Sequence, residues 1–162
     1  MKLIVAALCG ALLAVPGWAG SAAAQTATTQ SGTEGQRAVT KVVKGDFADV
    51  LLGVQNAIIG QGLKVEHVNN VGEMLARTKG AVGATQTLYT HAITLGFCSA
   101  VYSRKAMTAD RENLMFCPYS IFLYETPDKP GEVVIGHRLY PGASMKPVNA
   151  LLDKILDDAT AF

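Results

Sequence analysis

The stretch FCPYSIFLYETPDKPGEVVIGHRL, residues 116–139, decides the fold. Residues 119–125 and 132–139 are rich in β-branched and aromatic side chains, which are typical of β-strands. The six residues between them carry two prolines and a glycine, a composition typical of a turn. We therefore predict two strands joined by a short turn within an antiparallel sheet.

The elements on either side of this stretch complete the predicted architecture. One helix is expected after its cap Asp46, ending at Gly60 or Gly62, and a final amphipathic helix is expected after its cap Ser144. The order strand, helix, four strands, helix predicts an α+β sandwich, an antiparallel sheet with two helices on one face. Further strands are predicted at residues 38–43, 63–68 and 91–98, and a short helix near residues 73–79.

The N-terminal residues resemble an export signal. Lys2 is followed by an apolar run, and Ala22-Ala23-Ala24 is typical of a signal-peptidase site, so residues 1–24 are predicted to be a cleaved signal peptide. Residues 25–36 are small and polar and predict a disordered tether, which leaves residues 37–162 as one α+β domain. We expect a periplasmic or secreted protein with no integral membrane segment after cleavage.

The charge of the predicted mature chain argues against a polyanionic partner. The formal net charge is +1, and cleavage removes Lys2, the single charged residue of the leader, which brings it to 0. A neutral domain lacks the basic field that nucleic acids select. We therefore expect no nucleic-acid partner.

Two Phe-Cys pairs carry the candidate chemistry. Cleavage would remove Cys9, which leaves Cys98 and Cys117 at the predicted ends of two strands. If those strands are neighbours, the cysteines lie at the same end of the pair, within disulfide reach. A structural disulfide, worth roughly 3 kcal/mol in the chain-entropy model, is the plain interpretation. A redox-active dithiol and cysteine ligation of a metal or haem are the alternatives.

The three histidines form a weaker candidate set. His67, His91 and His137 each alternate onto an apolar strand face, where a histidine is ordinarily a hydrogen-bonded core or rim residue. An antiparallel sheet could bring them side by side as metal ligands, although no short metal-binding motif supports this. The sequence identifies no cofactor.

The central strands are apolar on both faces, and two helices can cover only one of them. The second face predicts a homodimer or a small apolar ligand, with Tyr119 and Tyr124 at a partly hydrated boundary. His91 is a further ligand-binding candidate. Arg104 lies in the charged excursion of residues 102–113, which is either a solvated surface or a flap that offers anion contacts beside Cys98.

Residues 97–99 and the segment FCPYSIFLYE, together with the order of elements, resemble the domain-of-unknown-function 302 family over about residues 39–159. The similarity is to an exported, cysteine-bearing branch. Many members carry Phe-Gly-Asn-Pro where this chain has Phe97-Cys98-Ser99-Ala100. The resemblance implies a β-α-β4-α fold and a dimer, and it implies no settled activity.

Two hypotheses about function follow. The first is a non-catalytic periplasmic dimer that binds a small apolar, metal or sulfur-containing ligand in a cleft beside Cys98, Cys117 and His91. The second is a thiol/disulfide redox protein that uses Cys98 and Cys117. No residue is identified as catalytic, and the sequence favours a non-catalytic protein over an enzyme.

Overall fold

The computed structural model describes residues 37–161; the predicted signal peptide and tether lie outside this range. Within it, two short 3-10 helices, Arg111–Phe116 and Ala143–Met145, accompany five strands and four helices. None of these helices is long and apolar enough to cross a bilayer. In chain order they are β1 (Ala38–Lys44), α1 (Phe47–Gly60), β2 (His67–Asn70), α2 (Val71–Thr78), β3 (His91–Phe97), α3 (Ala100–Ala109), β4 (Tyr119–Glu125), β5 (Glu132–Arg138) and α4 (Lys146–Asp158).

The five strands form one antiparallel sheet in the order β1-β5-β4-β3-β2. The predicted pair at the centre is present as β4 and β5, with Leu123 opposite Ile135 and Phe122 opposite Gly136. Opposed residues share a face, so the alternation in β4 puts Ile121 and Leu123 on one side and Phe122 and Tyr124 on the other. We call these the inner and outer faces of the sheet.

Helices α1 and α4 cover the inner face, as the sequence predicts. Asp46 caps α1 by accepting a hydrogen bond from the backbone N–H of Ala48 at 2.8 Å. Gly62, with φ of +72°, follows the last turn in the left-handed region that favours glycine. The apolar stripes of both helices are buried against the inner face, including Val54, Ile58, Leu152, Ile155 and Leu156.

Two segments differ from the prediction. The second strand lies at β2 rather than at residues 63–68: Leu63 and Val65 pack on the core, and the strand begins only at His67. The excursion between β3 and β4 is helical, because Ser99 caps α3 by accepting from the N–H of Tyr102 at 3.4 Å. The short helix expected near residues 73–79 is present as α2, capped by Asn70.

Aromatic side chains occupy the outer face, which α1 and α4 leave open. Phe122 and Tyr124 lie half-buried with stacked rings, and Tyr89 packs edge-on against Tyr124 with ring centroids 5.4 Å apart. Val42, on the neighbouring part of this face, is 60% exposed. The part of the outer face around Val42, Phe122 and Tyr124 is therefore apolar and partly open to solvent.

Candidate functional site

Two free thiols meet where β3 ends and β4 begins. Phe97 lies opposite Tyr119 in the register, so Cys98 and Cys117 leave the same end of the strand pair. Their Sγ atoms are 3.4 Å apart, and both residues are partly accessible to solvent. A disulfide bond is about 2.05 Å long, so the sulfurs need to approach by about 1.4 Å to bond.

Helix α3 completes the site. It begins two residues after Cys98 and carries Ser103, whose Oγ lies 3.3 Å from Cys117 Sγ. The same hydroxyl donates to the Tyr119 hydroxyl at 3.1 Å. Cys98, Cys117, Ser103 and Tyr119 therefore form one chain of hydrogen bonds, which we call the thiol cluster.

Burial dominates the electrostatics of Cys98. Removal from water, together with the hydrogen bond to Cys117 and the nearby Cys117 charge, raises the pKa of the Cys98 thiol to about 11. Glu66 acts in the same direction, and the backbone N–H of Tyr119 opposes it. Cys98 therefore stays protonated near neutral pH and donates its S–H to Cys117.

An aromatic floor lies beneath the thiols. Tyr119 is 1% exposed, and its ring centroid is 5.8 Å from that of Tyr140, which in turn lies 5.2 Å from Phe116. Burial raises the pKa of both tyrosine hydroxyls. The floor is neutral, so it supplies no cation that would stabilise a thiolate.

Two of the predicted ligand-binding residues, His91 and Tyr124, lie away from the thiols. His91 begins β3, roughly 23 Å along the strand from Cys98 at about 3.3 Å per residue. There it stacks on Phe47 and lies 4.0 Å from a carboxylate oxygen of Glu125. Because His91 and the thiols lie at opposite ends of β3, the expected cleft shared by Cys98, Cys117 and His91 does not form within this chain. Tyr124 is on the outer face.

The three histidines are separated as well. His67 lies on the outer face opposite Gly96, whereas His91 and His137 lie on the inner face at different strands. His137 is fully buried, and its ring nitrogens contact the Arg138 carbonyl and Asp153 at 2.9 Å each. Within residues 37–161, no three histidine, cysteine or acidic side chains come together as a metal site. The sheet keeps the predicted ligands apart.

Gly96, two residues before Cys98, lies close to its neighbours on the outer face. A Cβ there would lie 3.3 Å from His67 Cβ, which is closer than most side chains tolerate, and 3.7 Å from Pro118 Cγ, an ordinary contact. The Cys117–Pro118 peptide bond beside it is cis.

Sequence reasoning missed Ser103 and Glu66. The spacing of Ser103 four residues after the cap Ser99 puts both on one face of α3, so recognition of that helix would have identified it. Glu66 precedes β2, and its effect on Cys98 depends on the pairing of β2 with β3. No pattern in the local sequence predicts this interaction between Glu66 and Cys98.

The fold places the chain among α+β proteins built on a five-stranded antiparallel sheet with helices on its inner face. The chain belongs to the family described as Domain of unknown function DUF302, whose model matches residues 39–159. A crystal structure of an uncharacterized conserved DUF302 protein from Bacillus stearothermophilus is similar, with a TM-score of 0.55 and 17% identity. The match covers 78% of this chain and 94% of that one, which supports the shared fold. None of the curated proteins matches the chain.

Proposed function

We propose that the protein is a thiol/disulfide redox protein in which Cys98 and Cys117 alternate between two thiols and a disulfide. The observation that carries the proposal is the 3.4 Å contact between two partly accessible sulfurs. Of the two functions expected from the sequence, this is the one for which the site offers a direct geometric basis. The predicted signal peptide at residues 1–24 would deliver the pair to a compartment where disulfides persist.

The two sulfurs have different roles in this proposal. A thiolate, and not a thiol, attacks a disulfide. Cys98 holds its proton because burial and its neighbour raise its pKa to about 11, and it donates that proton toward Cys117. We therefore assign Cys117 as the attacking sulfur and Cys98 as the resolving sulfur.

The reaction passes two electrons and two protons to an external disulfide, R–S–S–R. The Cys117 thiolate attacks one sulfur, which forms a Cys117–S–S–R mixed disulfide and releases RS⁻. Cys98 then loses its proton and attacks Cys117 Sγ, which releases the second RS⁻ and closes the bond between Cys98 and Cys117. The two leaving thiolates take up the two protons, so the products are one protein disulfide and two RSH.

The test is to mix the reduced protein with 2-hydroxyethyl disulfide and follow its intact mass. Wild type is expected to become lighter by two hydrogens and to recover its mass in dithiothreitol without denaturant. In Cys98→Ser the mixed disulfide on Cys117 should accumulate, because the resolving sulfur is absent. Cys117→Ser is the matched control and should react far more slowly.

One result would overturn the redox proposal, and a second would overturn the assigned order of attack. One is a disulfide that dithiothreitol reduces only after the protein is unfolded, which would identify it as structural. The other is equal trapping in both serine variants, which would remove the assigned order of attack.

We propose separately that two copies of the chain join through the outer face; the family resemblance implies a dimer, and the uncovered apolar face suggests where it forms. The support is the open apolar strip formed by Val42, Phe122 and Tyr124. Native mass spectrometry is expected to give a dimer for wild type and a monomer for Phe122→Lys. A monomeric wild type that carries a bound small molecule would instead favour the ligand-binding hypothesis.

A further inference from the structure

A cavity lies along α3 and the residues that follow it, on the helix that carries Ser103 of the thiol cluster. It measures about 600 Å³ and is lined by Ala100, Arg104, Met107, Thr108 and Arg111. All five lining residues come from one segment, residues 100–111, so the cavity is a groove open to solvent along one side of the helix. The guanidinium groups of Arg104 and Arg111 therefore line the same cavity, and neither residue belongs to the thiol cluster.

Both arginines are available to a ligand. Arg104 and Arg111 are exposed, and within residues 37–161 neither forms an ion pair with a carboxylate. Asp110 and Glu112 flank Arg111 in sequence, but Asp110 accepts the backbone N–H of Glu112 at 2.9 Å and so contributes to its own turn. The cavity thus presents positive charge in a chain whose net charge is close to zero.

The cavity is adjacent to the sulfurs along α3. Ala100, on its wall, is two residues from Cys98, so their Cα atoms lie within about 7.6 Å of each other. Arg104 directly follows Ser103, whose hydroxyl is 3.3 Å from Cys117 Sγ. Successive helix residues point about 100° apart, so Arg104 lies on the side of α3 next to that of Ser103, and Arg111 lies about two turns further from the thiols. We expect a small disulfide engaged at Cys117 to reach Arg104 with its charged end, and Arg111 to act on its approach.

We propose that the cavity between Arg104 and Arg111 binds the anionic group of a small disulfide that oxidises the Cys98–Cys117 pair. Arginine is suited to this role because its planar fork pairs with carboxylate and sulfonate oxygens. The inference rests on the proposed redox function and adds the substrate class, a low-molecular-weight anionic disulfide. The electron and proton balance is that of the reaction given above, with an anionic group on R.

The test compares three disulfides that share a two-carbon arm and differ in charge. They are bis(2-sulfonatoethyl) disulfide, 2-hydroxyethyl disulfide and cystamine, which are anionic, neutral and cationic. We expect the reduced protein to react about tenfold faster with the anionic disulfide than with the neutral one at low salt, and this preference should fall as salt rises. Cystamine should be the slowest of the three.

Variants identify the source of the preference. Arg104→Gln and Arg111→Gln are each expected to lower the anionic rate about threefold, and the double variant should abolish the preference, since nearby charges act mainly on association. Lys105→Gln is the matched control, because Lys105 is an exposed cation of α3 that does not line the cavity. It should retain the preference. Ethanesulfonate, which has no reactive sulfur, should compete with the anionic disulfide and leave the neutral one unaffected.

The outcomes separate this inference from the proposed function. Equal rates for all three disulfides, or an equal loss in Lys105→Gln and the arginine variants, would overturn the anion site and leave the redox function standing. Failure of every disulfide to oxidise the folded protein would overturn both. A preference that is lost only in the arginine variants supports both.

Discussion

The thiol cluster and the contact of His137 with Asp153 are two polar groups of one sheet with opposite surroundings. His137 is completely buried between β5 and α4, and each of its ring nitrogens has a partner 2.9 Å away. The thiols of Cys98 and Cys117 are partly accessible, and their partners are another sulfur and a hydroxyl at 3.3–3.4 Å. One group is fully hydrogen-bonded and closed to reagents, while the other is weakly hydrogen-bonded and open to them.

This difference distinguishes a polar group that stabilises the fold from one that is free to react. A buried polar group with strong partners stabilises the fold, and its removal leaves those partners unpaired. A sulfur pair with weak partners contributes little to the fold while it is reduced, and it can exchange those contacts for a covalent bond. The comparison predicts that His137 variants affect folding and that cysteine variants affect redox behaviour.

The largest expected effect is on the buried histidine. His137→Ala should lower the free energy of unfolding by about 4 kcal/mol, because it opens a cavity in the core and leaves the Arg138 carbonyl without its partner. Urea denaturation followed by circular dichroism measures the change. His67→Ala is the control, since that histidine is exposed. Similar losses in the two variants would refute the structural role of His137.

Oxidation of the thiols should have the next largest effect. Closing the loop between residues 98 and 117 is expected to raise the free energy of unfolding by about 3 kcal/mol in the chain-entropy model. Urea denaturation with and without dithiothreitol gives the difference. In Cys98→Ser and Cys117→Ser the two curves should coincide. Identical curves for oxidised and reduced wild type would show that the disulfide strains the native state as much as it constrains the unfolded one.

Local patterns were sufficient to predict the framework. The alternation in β4 and β5 and the apolar stripes of α1 and α4 depend on residues close in sequence, so these elements follow from periodicity alone. The predicted second strand was displaced because Leu63 and Val65 bury their side chains without joining the sheet. Burial and strand pairing give the same apolar pattern at such positions.

The candidate site was only partly predictable. Alternation assigns each histidine to a face of its own strand, but the position of the residue along a pair depends on the register. The sequence alone therefore allows a site that joins His91 and Cys98, whereas the structure has His91 at the opposite end of β3. The two cysteines were easier to place, because they flank consecutive strands, and antiparallel pairing of those strands puts both cysteines at the same end of the pair.

The pH dependence of alkylation sharpens the contrast within the thiol cluster. The pKa of Cys98 is raised from 9.0 to about 11, so at pH 8 its thiolate fraction, and with it the rate of reaction with iodoacetamide, should be about 100-fold below that of an ordinary cysteine. The rate should keep rising with pH until about pH 11. Peptide mapping by mass spectrometry measures Cys98 separately from Cys117.

The control for this profile is the same protein in urea, in which Cys98 should titrate near its ordinary value of 9.0. The folded state retains the proton between these two pKa values while the unfolded state loses it, so the reduced protein should lose stability as pH rises from about 9 to about 11. A folded-state rate that is already constant at pH 9 would contradict the burial of Cys98.

The smallest expected effect concerns Ser103, which joins the open cluster to the buried floor. Ser103→Ala removes the hydrogen bond to the Tyr119 hydroxyl and should cost about 1 kcal/mol of unfolding free energy. Tyr119→Phe removes the same bond from the other side, so the double variant should cost less than the sum of the two single variants. Urea denaturation of the four proteins, all kept reduced, gives the coupling energy.

Strict additivity of the two substitutions would mean that Ser103 and Tyr119 stabilise the fold independently, and the thiol cluster would end at Cys117. Coupling would instead show that the partly accessible sulfurs are linked, through Ser103, to the hydroxyl of Tyr119, a residue that is 1% exposed. In that case the floor fixes Ser103, and Ser103 fixes Cys117 Sγ within 3.3 Å. The position of Cys117 Sγ, the attacking sulfur of the thiol cluster, would then depend on a buried hydrogen bond, as the position of the His137 ring does.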